Sequence, residues 1–462
     1  MDPAVFRDTL LVDAGMIGLL LGLGTFLRAR VPLFQTLMLP APVLAGIIGF
    51  LFGPYVFGAI AEHYSWHIGS WQVSGLPLSD YVGSYTTILI AVVFACMAIA
   101  QDFGLSRLNR SLGAFAGYGV LMSAGQVVVG MIAMIVLLRP VFDAPGAMGL
   151  VLFAGWSGGF GTSAALGDVF ASNGHEEITS IAFTSATVGM MTGIVGGVIL
   201  ARIGTSRGHS KAFEKGKALP ASMRTGILDD DERKPIGRHS VSGGSIETLA
   251  LHIAIICGVV VLGHYGQKLS AELFNAFALP LFTTAFIVGL LVRFALRRTG
   301  GTVVIDGGTM TSLSGAASDV LIVCGMVSIV PSFVGDQWQS LLILFALGLV
   351  FNLVLGLVVA PRFLGEGWFE KQIFTWGWAT GSVATGIALL RIVDPDSELG
   401  TLEEFGYAYI PLIPIEGGAA AIAPLMVLAG LSWVVVGIWG AIAVVGIWFL
   451  VVASRPRRSA RT

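Results

Sequence analysis

The sequence predicts an all-α polytopic membrane protein. It reads as two inverted repeats of five transmembrane helices, each with a re-entrant hairpin, plus one extra C-terminal transmembrane helix. Three observations predict this. The 462 residues are 55% hydrophobic and only 12% charged, whereas a soluble domain carries about 25% charged residues. The apolar residues gather in runs of about 20, the length that crosses a bilayer core. The Lys and Arg residues fall on one side of the membrane under a single topology.

The runs lie at 10–27, 37–60, 82–101, 113–138, 177–201, 247–267, 275–292, 315–334, 340–360, 405–430 and 432–453. Two further apolar stretches, 146–170 and 372–391, are interrupted by Gly, Ser and Thr. Met1-Asp2-Pro3 lacks a basic region and a small-residue cleavage site, so no cleaved leader is expected. A net charge of −2 offers no basic excess for nucleic acid. Cys96, Cys257 and Cys324 lie inside apolar runs without a CxxC pair and read as small buried hydrophobes. No cofactor is expected.

Orientation follows from the basic residues. With the N-terminus outside and both interrupted stretches entering and leaving on one side, only Arg7, Arg139 and Lys268 of the 26 Lys and Arg residues fall outside. Counting 146–170 as a full span would expel the basic stretch Arg202–Arg238, so the re-entrant reading is preferred. Residues 204–246 are the one long hydrophilic stretch and read as a solvated cytoplasmic linker, with a docking role as the alternative. The expected organisation is 1–203, an N-terminal repeat with its hairpin at about 146–170; 204–246, the linker; 247–431, a C-terminal repeat with its hairpin at about 372–391; and 432–462, the extra helix and a basic tail.

Self-comparison supports the repeat. Leu39-Pro40 with Gly46 and Gly49 resembles Leu279-Pro280 with Gly289, and Gly155-Trp156-Ser157-Gly158-Gly159 resembles Gly377-Trp378-Ala379-Thr380-Gly381. Gln126 has its counterpart in Asn352, each in the span before an interrupted stretch. Because the halves start on opposite sides, the copies are inverted, as in secondary transporters with broken helices near the midplane.

Glycine marks the breaks. There are 62 glycines, and a chain that turns back within the bilayer exposes backbone groups only where they face protein or a polar cavity. Ser157-Gly158-Gly159-Phe160-Gly161-Thr162-Ser163 and Gly381-Ser382-Val383-Ala384-Thr385-Gly386 combine glycines with hydroxyls. Free N–H groups at a half-helix N-terminus suit a carboxylate, while unwound carbonyls and hydroxyls suit a hard cation such as Na⁺. The scattered Gly46, Gly49, Gly193 and Gly356 read instead as positions for close helix packing.

At these clusters the chain resembles the bacterial sodium/glutamate symporter family, and more distantly the sodium/citrate carriers. Leu39-Pro40-Ala41-Pro42-Val43 is similar to that family's Pro-x-Pro-Val segment. Ser157-Gly158-Gly159-Phe160-Gly161-Thr162 is similar to its Ser-Gly-Gly-His-Gly-Thr signature. The second cluster matches in part. The resemblance implies a Na⁺-coupled symporter of glutamate or a related small carboxylate, moving in an elevator-like manner, forming a homodimer and lying in the bacterial inner membrane. Phe160 stands where the family has histidine, Gly386 where it has proline and Arg391 where it has asparagine, which leaves an uncoupled channel or a carrier of a different small organic anion as the alternative.

The candidate substrate-binding residues are Ser157, Gly158, Gly159, Gly161, Thr162, Ser163, Gly381, Ser382, Thr385 and Arg391. Arg391 has two readings, a partner for a second carboxylate or an anchor at the cytoplasmic end of its hairpin. The candidate cation-binding residues are Gln126, Thr184, Asn352 and Glu416, with Na⁺ as the only metal. Glu416 is the most isolated acid within a span, and an ionisable group there costs about 3 kcal/mol. Either it holds a cation or proton, or it pairs structurally, for instance with Arg391. Asp13, Asp102, Asp168 and Asp319 lie near span ends and read as solvated. No HExxH, GxSxG elbow or P-loop appears, so neither an intramembrane enzyme nor an ATP-driven pump is expected.

Overall fold

The computed structural model describes residues 3–37, 39–68, 71–72, 74–100, 110–210, 221–233, 235–274, 279–394 and 399–454. Asp102, Arg107, Lys211, Lys215, Lys217, Lys234 and the basic tail from Arg455 lie outside them. Within them the chain is helical, apart from a two-residue antiparallel pair, His67–Ile68 with Trp71–Gln72.

Nine helices are long and apolar enough to cross a membrane, among the described residues. We number the elements α1 (Arg7–Arg30), α2 (Ala41–His63), α3 (Val82–Ala100), α4 (Gly113–Phe142), α5 (Met148–Gly155), α6 (Gly159–Ala171), α7 (Glu177–Ser206) and α8 (Thr248–Leu273). There follow α9 (Leu281–Thr299), α10 (Gly307–Val327), α11 (Trp338–Phe363), α12 (Trp368–Thr380), α13 (Val383–Val393), α14 (Thr401–Ala408), α15 (Leu412–Ala421), α16 (Ala423–Leu428) and α17 (Ser432–Ser454).

Two expected spans are not among the nine. The run at 275–292 becomes α9, whose last two turns carry Arg293, Arg297 and Arg298, and residues 275–278 lie outside the description. The run at 405–430 is divided into α14, α15 and α16, because Pro411 and Pro424 lack the N–H that a continuous helix needs. The run at 315–334 starts earlier, at Gly307, because Asp306 caps α10 by accepting from the Thr309 N–H at 2.7 Å.

The chain forms two compact units, and each draws on both sequence halves. The first comprises Met1–Asp102, Phe160–Thr184 and Ala221–Gly335. In it, Pro40 and Pro280 hold the same position, each extended and each starting a helix with its carbonyl accepting from the third and fourth residues on. Added β-carbons at Gly46 and Gly49 would approach Met326 and Val327 within 2.5 Å, so these two are packing glycines. Asp13 corrects the sequence expectation: it is fully buried, accepting from Ser79 N at 2.9 Å, Ser79 Oγ at 2.5 Å and Tyr85 Oη at 2.8 Å. Asp13→Ala strands those half-buried donors and is expected to cost about 3 kcal/mol, read as an earlier unfolding midpoint in detergent. Cys257 is likewise a correction, since it is exposed on α8. The end of the linker stays exposed at Ile236 and Arg238, while Ile236, Arg238 and Ser240 are hydrogen-bonded to Ser312, Asp306 and Val304.

The second unit comprises Phe103–Gly159, Ser185–Pro220 and Asp336–Thr462. Both α4 and α11 widen into a π-helical turn, Met134–Leu138 and Leu355–Val359, just before Pro140 and Pro361. The proline ring displaces the carbonyl four residues back, and the ladder lengthens to accommodate it. The extra helix α17 lies on α4 where Gly117 and Gly446 face each other: a β-carbon on either would meet the other's carbonyl at 2.7 and 3.0 Å. The core packs Phe115, Phe374, Trp376, Trp378 and Phe405 around the α12–α13 hairpin.

Candidate functional site

Both interrupted stretches break where glycine and hydroxyl residues cluster. After α5, Trp156, Ser157 and Gly158 leave the helix, Gly158 N–H closes back on Phe153 O at 2.9 Å, and α6 begins at Gly159. Gly159 has φ +65°, a left-handed conformation that L side chains disfavour. After α12, Ser382 N–H closes on Gly377 O at 3.1 Å, and Ser382 Oγ caps α13 by accepting from Thr385 N–H at 3.2 Å. The side chains of Ser382 and Thr385 share a hydrogen bond at 3.1 Å. Limbs α12 and α13 cross tightly because Gly377 and Gly386 meet, so Gly386 serves packing in place of the family's proline.

The breaks touch. A β-carbon on Gly159 would lie 2.7 Å from Gly381 O. Gln126, fully buried on α4, holds both: its Oε1 accepts from Ser157 N–H at 3.2 Å, and its Nε2 donates to Ala379 O at 2.7 Å and Asn352 Oδ1 at 3.3 Å. Asn352 Nδ2 donates to Gly348 O in its own helix. One amide thus supports an N–H of the first break and a carbonyl of the second, groups that a broken helix leaves without ladder partners.

Beside Ser157 lies the carboxylate of Glu416, half-buried on α15. Its Oε1 accepts from Ser123 Oγ and Ser157 Oγ, both at 3.2 Å, and its Oε2 from Tyr409 Oη at 2.7 Å. Among the described residues it has no basic partner, and Arg391 is exposed on the last turn of α13. The result is three hydroxyl oxygens around one carboxylate. No group of three or more His, Cys, Asp or Glu gathers among the described residues, so the oxygen set suits a hard monovalent cation better than a transition metal.

The other expected site residues lie in the first unit. Gly161 approaches Ile90, Thr162 is half-buried, and Ser163 is fully buried with no hydrogen-bond partner for its Oγ among the described residues. Thr184 donates to Ser180 O within its own helix at 2.8 Å. Phe160 is buried and stacks on Phe183 at 6.3 Å.

Sequence reasoning missed Ser123, Tyr409 and a half-buried ion pair. Ser123 stands one helical turn before Gln126 and was findable from that spacing. Tyr409 was not, because the irregular stretch between it and Glu416 removes any period. Lys371, expected in a cytoplasmic loop, is instead nearly buried on α12, 2.8 Å from Glu404. Placing it in the loop assumed a hairpin starting at 372, whereas α12 starts at Trp368.

A family model described as sodium/glutamate symporter matches residues 8–391. The sodium/glutamate symporter of Haemophilus influenzae is 24% identical over 388 residues, covering 82% of this chain and 87% of that protein.

Proposed function

We propose, from the premise that this chain belongs to the sodium/glutamate symporter family, that it carries glutamate or a related small carboxylate across a membrane together with Na⁺. A symporter is a transporter, not an enzyme, and the nine apolar helices suit a multi-pass membrane protein. The observation that carries the finer reading is the meeting of the two breaks at Gln126, with the Glu416 carboxylate against Ser157.

In this reading the first N–H groups of α6, from Gly159 on, and the hydroxyls of Ser382 and Thr385 receive the substrate carboxylate. Glu416, Ser123 and Ser157 offer oxygens to Na⁺, with Gln126 and Asn352 bracing the site. Substrate and cation then meet at the same break, so filling one site orders the other, which is the physical content of coupling. Gly161, Thr162, Ser163, Thr184 and Arg391 remain candidates on sequence grounds.

The paired Pro40 and Pro280, the paired π turns and the Gln126–Asn352 contact support inverted repeats with re-entrant hairpins. That each compact unit draws on both halves supports an elevator-like movement, with the unit that holds the breaks as the carrier. We also propose the homodimer, the bacterial inner membrane and an outside N-terminus with a cytoplasmic C-terminus. The buried Phe160 supplies no polar group in place of the family's histidine, which favours a second reading, a carrier of a different small organic anion.

The test is uptake of labelled glutamate into proteoliposomes with and without an inward Na⁺ gradient, challenged by unlabelled dicarboxylates. Uptake that rises with the gradient is expected. Uptake indifferent to Na⁺ would sink the coupled reading, and stronger uptake of another anion would select the second.

A further inference from the structure

Asp319 is the thirteenth of the 21 residues of α10. At 1.5 Å per residue it stands about 18 Å along the helix, well inside a hydrocarbon core about 30 Å thick. Its place in the run at 315–334 suggests a span end, but the Asp306 cap moves the start of the helix back to Gly307. The residue is exposed, and among the described residues no hydrogen bond or ion pair holds its carboxylate. Polar neighbours share its side of the helix. At about 100° per residue, Gly308, Thr311, Ser312, Gly315 and Ser318 fall with Asp319 inside one arc of about 120°. Each is exposed or half-buried, and a β-carbon on Gly315 would meet nothing within 4 Å. The opposite side carries the buried Met310, Ala317, Leu321 and Cys324.

The arc is open at one end and shut at the other. At the Gly307 end, Ser312 Oγ donates to Ile236 O at 2.9 Å, while Gly307, Gly308 and Thr311 stay exposed. Beyond Asp319 this side turns apolar at the half-buried Ile322. A β-carbon on Gly325 would then lie 2.5 Å from the Phe183 ring, and Met326 fills the space beside Gly46. A carboxylate at mid-span costs about 3 kcal/mol in hydrocarbon, so polar groups at this depth face protein or water. The room at Gly315 and the exposure of Asp319 select water over a packed protein neighbour.

We infer that this face of α10 lines an aqueous vestibule, entered from the Gly307 end, that brings water and cations to Asp319 within the membrane. Hydroxyls and bare backbone line the way in, and the one charge on the arc stands near its closed end. A carboxylate between low-dielectric walls gathers cations and repels anions in the water beside it. Only a membrane-crossing α10 is required, whatever the cargo, so failed glutamate uptake would leave the vestibule standing.

Charged methanethiosulfonates modify cysteine thiols only in water, which makes them the test. The full-length protein carries Cys257→Ala, because Cys257 is exposed while Cys96 and Cys324 are buried. It is reconstituted into liposomes, and the reagents are supplied on both faces. Gly315→Cys and Ser318→Cys are expected to be modified in the bilayer. Leu262→Cys, exposed on the apolar α8, is expected to stay unmodified under lipid. Gly315 and Asp319 stand four residues apart on one face. Asp319→Asn in the Gly315→Cys protein is therefore expected to lower the ratio of cationic to anionic reaction rates about tenfold. Ser318→Cys exchanges a single atom and keeps the test decisive where Gly315→Cys folds poorly. Reaction of both only after denaturation overturns the vestibule. Oxidative cross-linking of Gly315→Cys to a second copy also overturns it, because the face is then a contact between copies. A rate ratio unmoved by Asp319→Asn overturns the gathering of cations by this carboxylate.

Discussion

Gly159→Val is expected to abolish Na⁺-driven glutamate uptake while leaving a monodisperse, helical protein. Two separate effects act at this residue. Its φ of +65° is reached by glycine without strain, and an L residue there costs about 1–2 kcal/mol, more when β-branched. The added β-carbon would also sit 2.7 Å from Gly381 O. That contact is with backbone, so no side-chain rotation relieves it. The breaks must then part, and Gln126 cannot hold Ser157 N–H and Ala379 O together. Gly258→Val is the control, since nothing lies within 4 Å of a β-carbon at that position. Initial uptake rates in proteoliposomes decide the matter: undiminished transport by Gly159→Val would return this glycine to ordinary packing.

Glu416→Gln is expected to raise the Na⁺ concentration for half-maximal uptake at least tenfold. Two unit charges about 4 Å apart attract by about 4 kcal/mol at an effective dielectric near 20, and loss of a third of that is a factor of ten. Glutamine keeps the size: its carbonyl oxygen accepts on one side and its amide donates to the hydroxyl on the other, so the packing survives while the charge does not. Tyr409→Phe removes a neighbour without removing the charge, and a smaller shift is expected. A Glu416→Gln protein with the wild-type Na⁺ dependence would exclude this carboxylate as the cation's partner.

The membrane class and the places of the two breaks were legible in the sequence because both are local properties. An apolar run of about 20 residues has one stable environment, and glycine with hydroxyls inside such a run marks backbone that must find partners outside the helix ladder. The packing role of Gly46, Gly49, Gly193 and Gly356 was legible for the same reason: β-carbons there would approach Met326, Val327, Thr380 and Gln372 within 2.6 Å. Solvation of Asp13 was a misreading, because nearness to a span end says nothing about the distant segment, here Ser79 and Tyr85, that folds over it. The single span expected at 405–430 failed on proline, whose missing N–H outweighed a high apolar content.

By itself, the sequence determined an apolar, multi-helical chain, interrupted at 157–163 and 381–386 by residues chosen for backbone exposure. Only the tertiary structure decided that Gln126 bridges those interruptions, that Ser123 and Tyr409 join Ser157 around Glu416, and that Lys371 pairs with Glu404 instead of facing water. The reason is physical. Helix formation in an apolar medium follows from hydrogen bonds four residues apart, whereas satisfying a polar side chain there depends on residues up to 293 positions away in sequence, which no local pattern records.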